Sequence, residues 1–142
     1  MQLDGAVYTA ISDLADQGNI AMDQGQYQEA ILLWEEALHY LPEPVTQWQA
    51  AFWLYASMAE GYYQLEDFEQ AIAMLNLALE CAEAKENPYP YYMMGKSYWR
   101  LNQEQAAEYL LKAYDLDGEG IFAADSVDGE NCLQYLYDQG LL

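Results

Sequence analysis

Three times along this chain a large apolar residue stands between two alanines at steps of four and three. The sets are Ala30, Trp34 and Ala37, then Ala71, Leu75 and Ala78, then Ala106, Leu110 and Ala113. Residues at those steps share one face of a helix. Alanines there let a second helix come close, while the larger side chain fills the space beside the contact. The stretch "GQYQEAILLWEEALHYLP", residues 25–42, is thus built to stack against neighbours, and it stops at a proline. Each set follows a second amphipathic segment: Leu14, Gly18 and Ala21, then Tyr55, Met58, Ala59 and Tyr62, then Tyr91, Met94, Gly95 and Tyr98. Paired helices, stacked pair on pair, are what such a chain can fold into.

This order of residue types is the tetratricopeptide rhythm, with an aromatic, a leucine-like residue, a small residue and a tyrosine in the first helix, and alanine, large apolar, alanine in the second. It predicts an all-α fold of three helix-turn-helix repeats forming a short right-handed α-solenoid, one domain over 1–142, with repeats at about 11–44, 45–86 and 88–118. Ala30 and Ala71 lie 41 residues apart, about seven more than the nominal period of roughly 34. Placed in the segment "PEPVTQWQAAFWLYASMAEGYYQL", the excess predicts one long helix from about Thr46. The turn "LNQEQ" is one residue shorter than "LEDFEQ". After Asp117 the repeat pattern is lost. Cys132, Leu133, Leu136 and Tyr137 then offer the apolar side of a final helix ending at Gly140, so 119–142 is expected to cap the exposed flank of the last repeat.

Charge narrows the partners. The chain carries 24 acidic residues against four basic ones, and Lys85, Lys96, Arg100 and Lys112 all follow residue 84. The resulting field repels nucleic acid and anionic lipid and speeds encounter with a basic protein, although acidity also keeps a chain rich in Tyr and Trp in solution. No long apolar run and no basic start followed by an apolar stretch occurs, so neither a membrane span nor a secretory signal is expected and a cytoplasmic location is. Cys81 and Cys132 lie far apart without a CxxC pattern, which reads as two reduced thiols rather than a bridge or a zinc site.

Chemistry is sparse. His39, the only histidine, falls in the last turn of a helix. Glu35–Glu36 and Glu66–Asp67 are neighbours that point about 100° apart on a helix and serve poorly as acid and base. "DGEG" and "VDGEN" have neither phosphate-loop nor calcium-loop spacing. No catalytic, cofactor-binding or metal-binding set is assigned, and the chain is read as a non-enzyme without cofactors.

What remains is surface. In stacked pairs the first helix of each repeat lines the concave side. By alignment that side gathers Asn19, Met22 and Asp23 from the first repeat, and Trp53, Ala56, Glu60, Tyr63 and Gln64 from the second. Tyr89, Tyr92, Lys96, Trp99 and Arg100 come from the third. Trp53, Tyr63, Tyr92 and Trp99 are the expected anchors and Asp23 and Glu60 the expected charge partners, since aromatic residues anchor interfaces. The competing use of Trp53 and Tyr92 is packing, against the next helix or against a tail folded back into the groove.

The combination "PEPVTQWQAAFWLYASMAEGYYQLEDFEQAI", "ENPYPYYMMGKSYWRLNQEQAAEYLLKAYDLDGEGIF" and a trailing "LQYL" resembles a family of small bacterial repeat proteins encoded beside polymorphic toxins of the Rhs and contact-dependent type as immunity proteins. The resemblance implies that the chain holds a toxin domain inactive by direct binding, and an acidic aromatic groove would suit a basic toxin. Small acidic chaperones of type III translocators are the main alternative, and they cradle an extended segment. A general adaptor that clamps a C-terminal carboxylate needs several Lys, Arg and Asn along the groove, and only Asn19, Lys96 and Arg100 are available.

Overall fold

The alanine pattern becomes three helical hairpins in the computed structural model, which describes residues 2–82 and 84–142. Helices α1 (Gly5–Asp23) and α2 (Tyr27–His39) form the first, α3 (Gln49–Gln64) and α4 (Phe68–Leu79) the second, and α5 (Pro88–Arg100) and α6 (Gln105–Asp117) the third. A single turn, α7 (Gly120–Ala123), and a last helix, α8 (Gly129–Asp138), follow. No strand occurs among the described residues. Two compact units divide the chain, Met1–Ala82 with the first two hairpins and Glu83–Leu142 with the third and the C-terminal helices.

Each hairpin is closed by the same device. Gly25, Glu66 and Asn102 occupy equivalent places in the three turns, and all take positive φ, of 75°, 59° and 56°. The residue after each returns a backbone hydrogen bond to a carbonyl five positions earlier: Gln26 to Ala21 at 2.8 Å, Asp67 to Tyr62 at 2.9 Å and Gln103 to Tyr98 at 3.0 Å. That bond satisfies a carbonyl left open by the ending helix and reverses the chain. The missing residue of "LNQEQ" is absorbed just beyond. Ala30 and Ala71 donate to the fourth residue before them, whereas Ala106 donates to the third, Gln103, at 3.1 Å. Register is thereby recovered within one turn.

The packing alanines do what their spacing predicts. Ala30, Ala37, Ala71, Ala78, Ala106 and Ala113 are all fully buried, with Trp34, Leu75 and Leu110 between them. Opposite stands the small residue of the first helix. A Cβ on Gly18 would run into the Trp34 indole, and one on Gly95 would lie 2.6 Å from Leu110 Cγ. The second unit-1 junction is as close, since a Cβ on Gly61 would meet Ile31 Cγ1 at 2.8 Å. Bare glycine is what lets these helices approach.

The connection between the first two hairpins departs from expectation. Instead of a helix from Thr46, residues 45–47 make a short 3-10 turn, Trp48 is extended, and α3 begins at Gln49. Part of the excess lengthens α3, which has 16 residues against 13 in α5, and the rest spans the gap. The cause is Trp48: its indole N–H donates to the Pro42 carbonyl at 2.8 Å, and its side chain is buried. An aromatic ring folded into the connector holds backbone that a continuing helix would have straightened. At the other end α1 starts six residues before the expected repeat boundary, at Gly5, where the Asp4 carboxylate accepts from the Ala6 N–H at 2.9 Å.

The C-terminal segment closes the second unit. Phe122, Cys132 and Leu136 are buried, while Tyr137, expected on the apolar side, is 47% exposed and faces outward. Phe122 takes the apolar role instead, from the turn that precedes α8. Its ring meets Tyr92 edge-on at 5.1 Å and lies 6.3 Å from Tyr114. A Cβ on Gly129 would collide with the Phe122 carbonyl, so the start of α8 is set directly against α7. No helix among the described residues is long and apolar enough to cross a membrane.

Candidate functional site

In the first unit α1 and the start of α3 leave an open cleft of about 920 Å³, lined by Leu3, Tyr8, Ser12, Ala15, Gln47, Gln49, Ala50 and Trp53 among others. Its two large rings are open to solvent, Tyr8 at 62% and Trp53 at 53% exposed. The floor is fixed. Ile11, Trp48 and Leu54 are buried, and Trp53 is braced edge-on by Phe52 at 5.0 Å. Along α1 the lining positions 8, 12 and 15 continue at helical spacing to Asn19, Met22 and Asp23; along α3, 50 and 53 continue to Glu60 and Gln64. The charge is one-sided, for residues 1–82 hold thirteen acids and no Lys or Arg.

The second unit is different, because its inner positions on α5 are already engaged. The Tyr92 hydroxyl donates to Asp125 Oδ2 at 2.6 Å, and Lys96 Nζ donates to the same oxygen at 2.8 Å. Asp125 Oδ1 accepts from the backbone N–H groups of Val127 and Asp128, each at 3.1 Å. Lys96 also pairs with Asp128 at 3.7 Å and lies 5.6 Å from the centre of the Tyr92 ring. Burial acts against the charge on Asp125, but the hydrogen bonds from Lys96, Tyr92 and the Asp128 backbone outweigh it and hold the carboxyl down at about 2. Burial, then the Asp125 hydrogen bond, keeps the Tyr92 phenol protonated well above its ordinary 10. Cys132 beside them is buried and free, its thiol pushed up to about 12 chiefly by burial. Such a thiol is unreactive at neutral pH. Cys81 is likewise buried and free.

The positions expected to face a groove therefore divide. Asn19, Asp23, Trp53, Gln64 and Arg100 are exposed, and Met22, Glu60, Tyr89 and Trp99 are partly so. Ala56, Tyr63, Tyr92 and Lys96 are buried. Tyr63 packs edge-on against Phe68 at 5.1 Å, so its ring belongs to the hairpin core. Tyr92 and Lys96 are held by Phe122 and Asp125; for Tyr92 this is the folded-back tail weighed against it from sequence, and Lys96 is taken by the same segment. Three of these four were expected at the surface as aromatic anchors or a cation, and their burial removes that use. Trp99 lines a smaller hollow of about 260 Å³ with Asn102, Gln103, Glu104, Tyr135 and Gln139. Tyr8 was missed. Its signal was present, since Tyr8, Ile11 and Ser12 keep helical spacing upstream of Leu14, and Asp4 is a capping residue. Among the described residues no three His, Cys, Asp or Glu side chains converge to hold a metal ion.

Helical hairpins with small-large-small contacts define a helical-repeat architecture, and comparison with known proteins says which one. Residues 13–44 match the tetratricopeptide repeat. Over 84 residues, 59% of its length, the chain is 34% identical to human Tetratricopeptide repeat protein 12, of which it spans only 11%. Among solved structures it is similar to the Arabidopsis OM64 TPR domain, with a TM-score of 0.73 at 19% identity, covering 94% of this chain and 98% of that one. It is also similar to the first TPR of Spaghetti (RPAP3), solved bound to the HSP90 peptide SRMEEVD, with a TM-score of 0.70 at 20% identity over 92% and 95% of the two chains. The Sgt2 TPR domain from Aspergillus fumigatus matches with a TM-score of 0.69 at 20% identity, over 91% of this chain and 78% of that one. The fold is that of the tetratricopeptide repeat.

Proposed function

We propose that this chain is a protein-binding module that acts by occupancy rather than by chemistry of its own, with the inner side of its helical hairpins as docking surface. The observation that carries this reading is the cleft flanked by Tyr8 and Trp53: two large rings stand more than half exposed beside a rigid apolar floor. Exposed aromatic rings over a fixed, concave surface are what protein interfaces use as anchors. The finer reading rests on the resemblance to the small repeat proteins encoded beside Rhs and contact-dependent toxins. On it, the partner is a basic toxin domain, and the chain is the immunity protein that neutralises it. The acidity of residues 1–82 supports that pairing by charge complementarity.

One feature favours a chaperone or adaptor role as a second reading: the cleft is open to solvent and so suits an extended segment as well as a folded surface. Co-expression separates the two. A susceptible cell making the toxin domain encoded beside this gene should grow when this chain is present, and the pair should co-purify. Absence of rescue together with retention of an unfolded secretion substrate would overturn immunity and establish the chaperone role.

A further inference from the structure

The cleft between α1 and α3 limits what can occupy it more sharply than the fold does. We infer that it takes an extended peptide segment rich in lysine or arginine that inserts one apolar side chain between Tyr8 and Trp53, and that it discriminates against acidic segments. This inference rests on the protein-binding reading and locates it.

Three properties of the cleft point to that occupant. Its volume of about 920 Å³ suits a few residues of peptide rather than a single side chain. Its walls combine apolar contact from Leu3, Tyr8 and Trp53 with the side-chain amides of Gln47 and Gln49, which can both donate to and accept from an extended backbone. No charged side chain is among its described lining residues, and the charged side chains of its own unit are all acidic. Asp16 flanks the α1 stripe, Asp23 and Glu60 continue the stripes of α1 and α3, and residues 1–84 contain no Lys or Arg to meet a carboxylate. A neighbour in fold is solved with the peptide SRMEEVD, whose end is acidic. Here such an end would meet the like charge of a unit whose residues 1–82 hold no Lys or Arg. A second copy of this chain is disfavoured on the same ground, since each copy carries a net charge of −20.

The test uses the whole chain, isotopically labelled, and two unlabelled synthetic peptides. One is a short run of lysine and arginine around a central leucine; the other has glutamate in place of every basic residue. The expected result is that the basic peptide moves the Trp53 indole N–H and Tyr8 amide signals and the glutamate peptide moves neither. Tyr8→Ala and Trp53→Ala should each weaken the basic peptide about tenfold, the loss of one interfacial anchor. Both rings are more than half exposed, so an unchanged melting temperature will show that the variants fold. Equal response to both peptides overturns charge selection. Shifts that avoid Trp53 and survive both substitutions place the contact on acidic surface elsewhere and overturn the cleft. Silence with both peptides overturns it as well, and a Trp53 signal that moves with protein concentration alone assigns the cleft to a second copy. In each case the co-expression result judges the protein-binding reading separately.

Discussion

At position 95 a single methyl group decides between two opposing effects. Gly95 sits inside α5, where alanine would favour the helix by about 0.5–1 kcal/mol. Its added Cβ, however, would lie 2.6 Å from Leu110 Cγ and 2.8 Å from the Leu110 backbone nitrogen. A flexible side chain could yield; a backbone atom cannot without moving α6. Overpacking of this kind costs about 1–3 kcal/mol and outweighs the propensity gain. Gly95→Ala is therefore expected to lower the denaturant midpoint with little change in slope. Gly5→Ala, at the open start of α1 with no atom within 4 Å of the new Cβ, is expected to leave it unchanged or raise it slightly. Urea unfolding of the two variants beside the parent chain checks the contrast. Both roles follow from residue identity, yet only Gly95 announces its role in the sequence, through its place in the repeat.

The element that rewrote the expected site is the C-terminal segment. Phe122 and Asp125 cover the inner side of α5 and turn Tyr92 and Lys96 from surface groups into members of a buried polar cluster. Its contribution to stability has a defined pH window. The Asp125 carboxyl falls from 3.8 to about 2 on folding, so the charged form is favoured in the native state. That stabilisation is fully present above about pH 4 and is lost as pH falls through 2. A drop of this size corresponds to about 2 kcal/mol. Asp125→Asn is expected to destabilise the chain by about 2–3 kcal/mol at pH 7, since Lys96 loses its nearer partner while staying buried. The gap between variant and parent should narrow between pH 4 and pH 2. Thermal melts of both proteins across that range provide the measurement, and a gap independent of pH would separate the destabilisation from the charge on Asp125.

On the scale of the whole molecule, charge is the property that acts before contact. A net charge of −20 on 142 residues reaches about 10 Å into solution at 0.1 M salt and is screened above that. Association with a basic partner should accordingly slow about tenfold or more between low and high salt, while dissociation, governed by the anchors, changes little. Stopped-flow mixing with a basic protein partner at a series of salt concentrations measures both. An association rate indifferent to salt would leave the acidity as a solubility device.

What the sequence determined by itself is the repeat. Ala30, Ala71 and Ala106 are buried in equivalent places, and the hairpin turns fall where the motif put them, because helix packing depends on residue size at fixed spacing and that information is local. The Tyr8 side of the cleft was legible on the same terms, as helical spacing upstream of the motif. The tertiary structure alone decided the rest. Nothing near Trp48 in the sequence says that its indole reaches back to the Pro42 carbonyl and delays α3. Nothing near Lys96 says that a carboxylate 29 residues later will take it. Spacing assigns a residue to a face of its helix, and whether that face stays open depends on what a distant segment does with its own apolar and charged groups. Phe122 and Asp125 settled that for Tyr92 and Lys96, while no such segment among the described residues covers Tyr8 and Trp53, whose rings stay exposed.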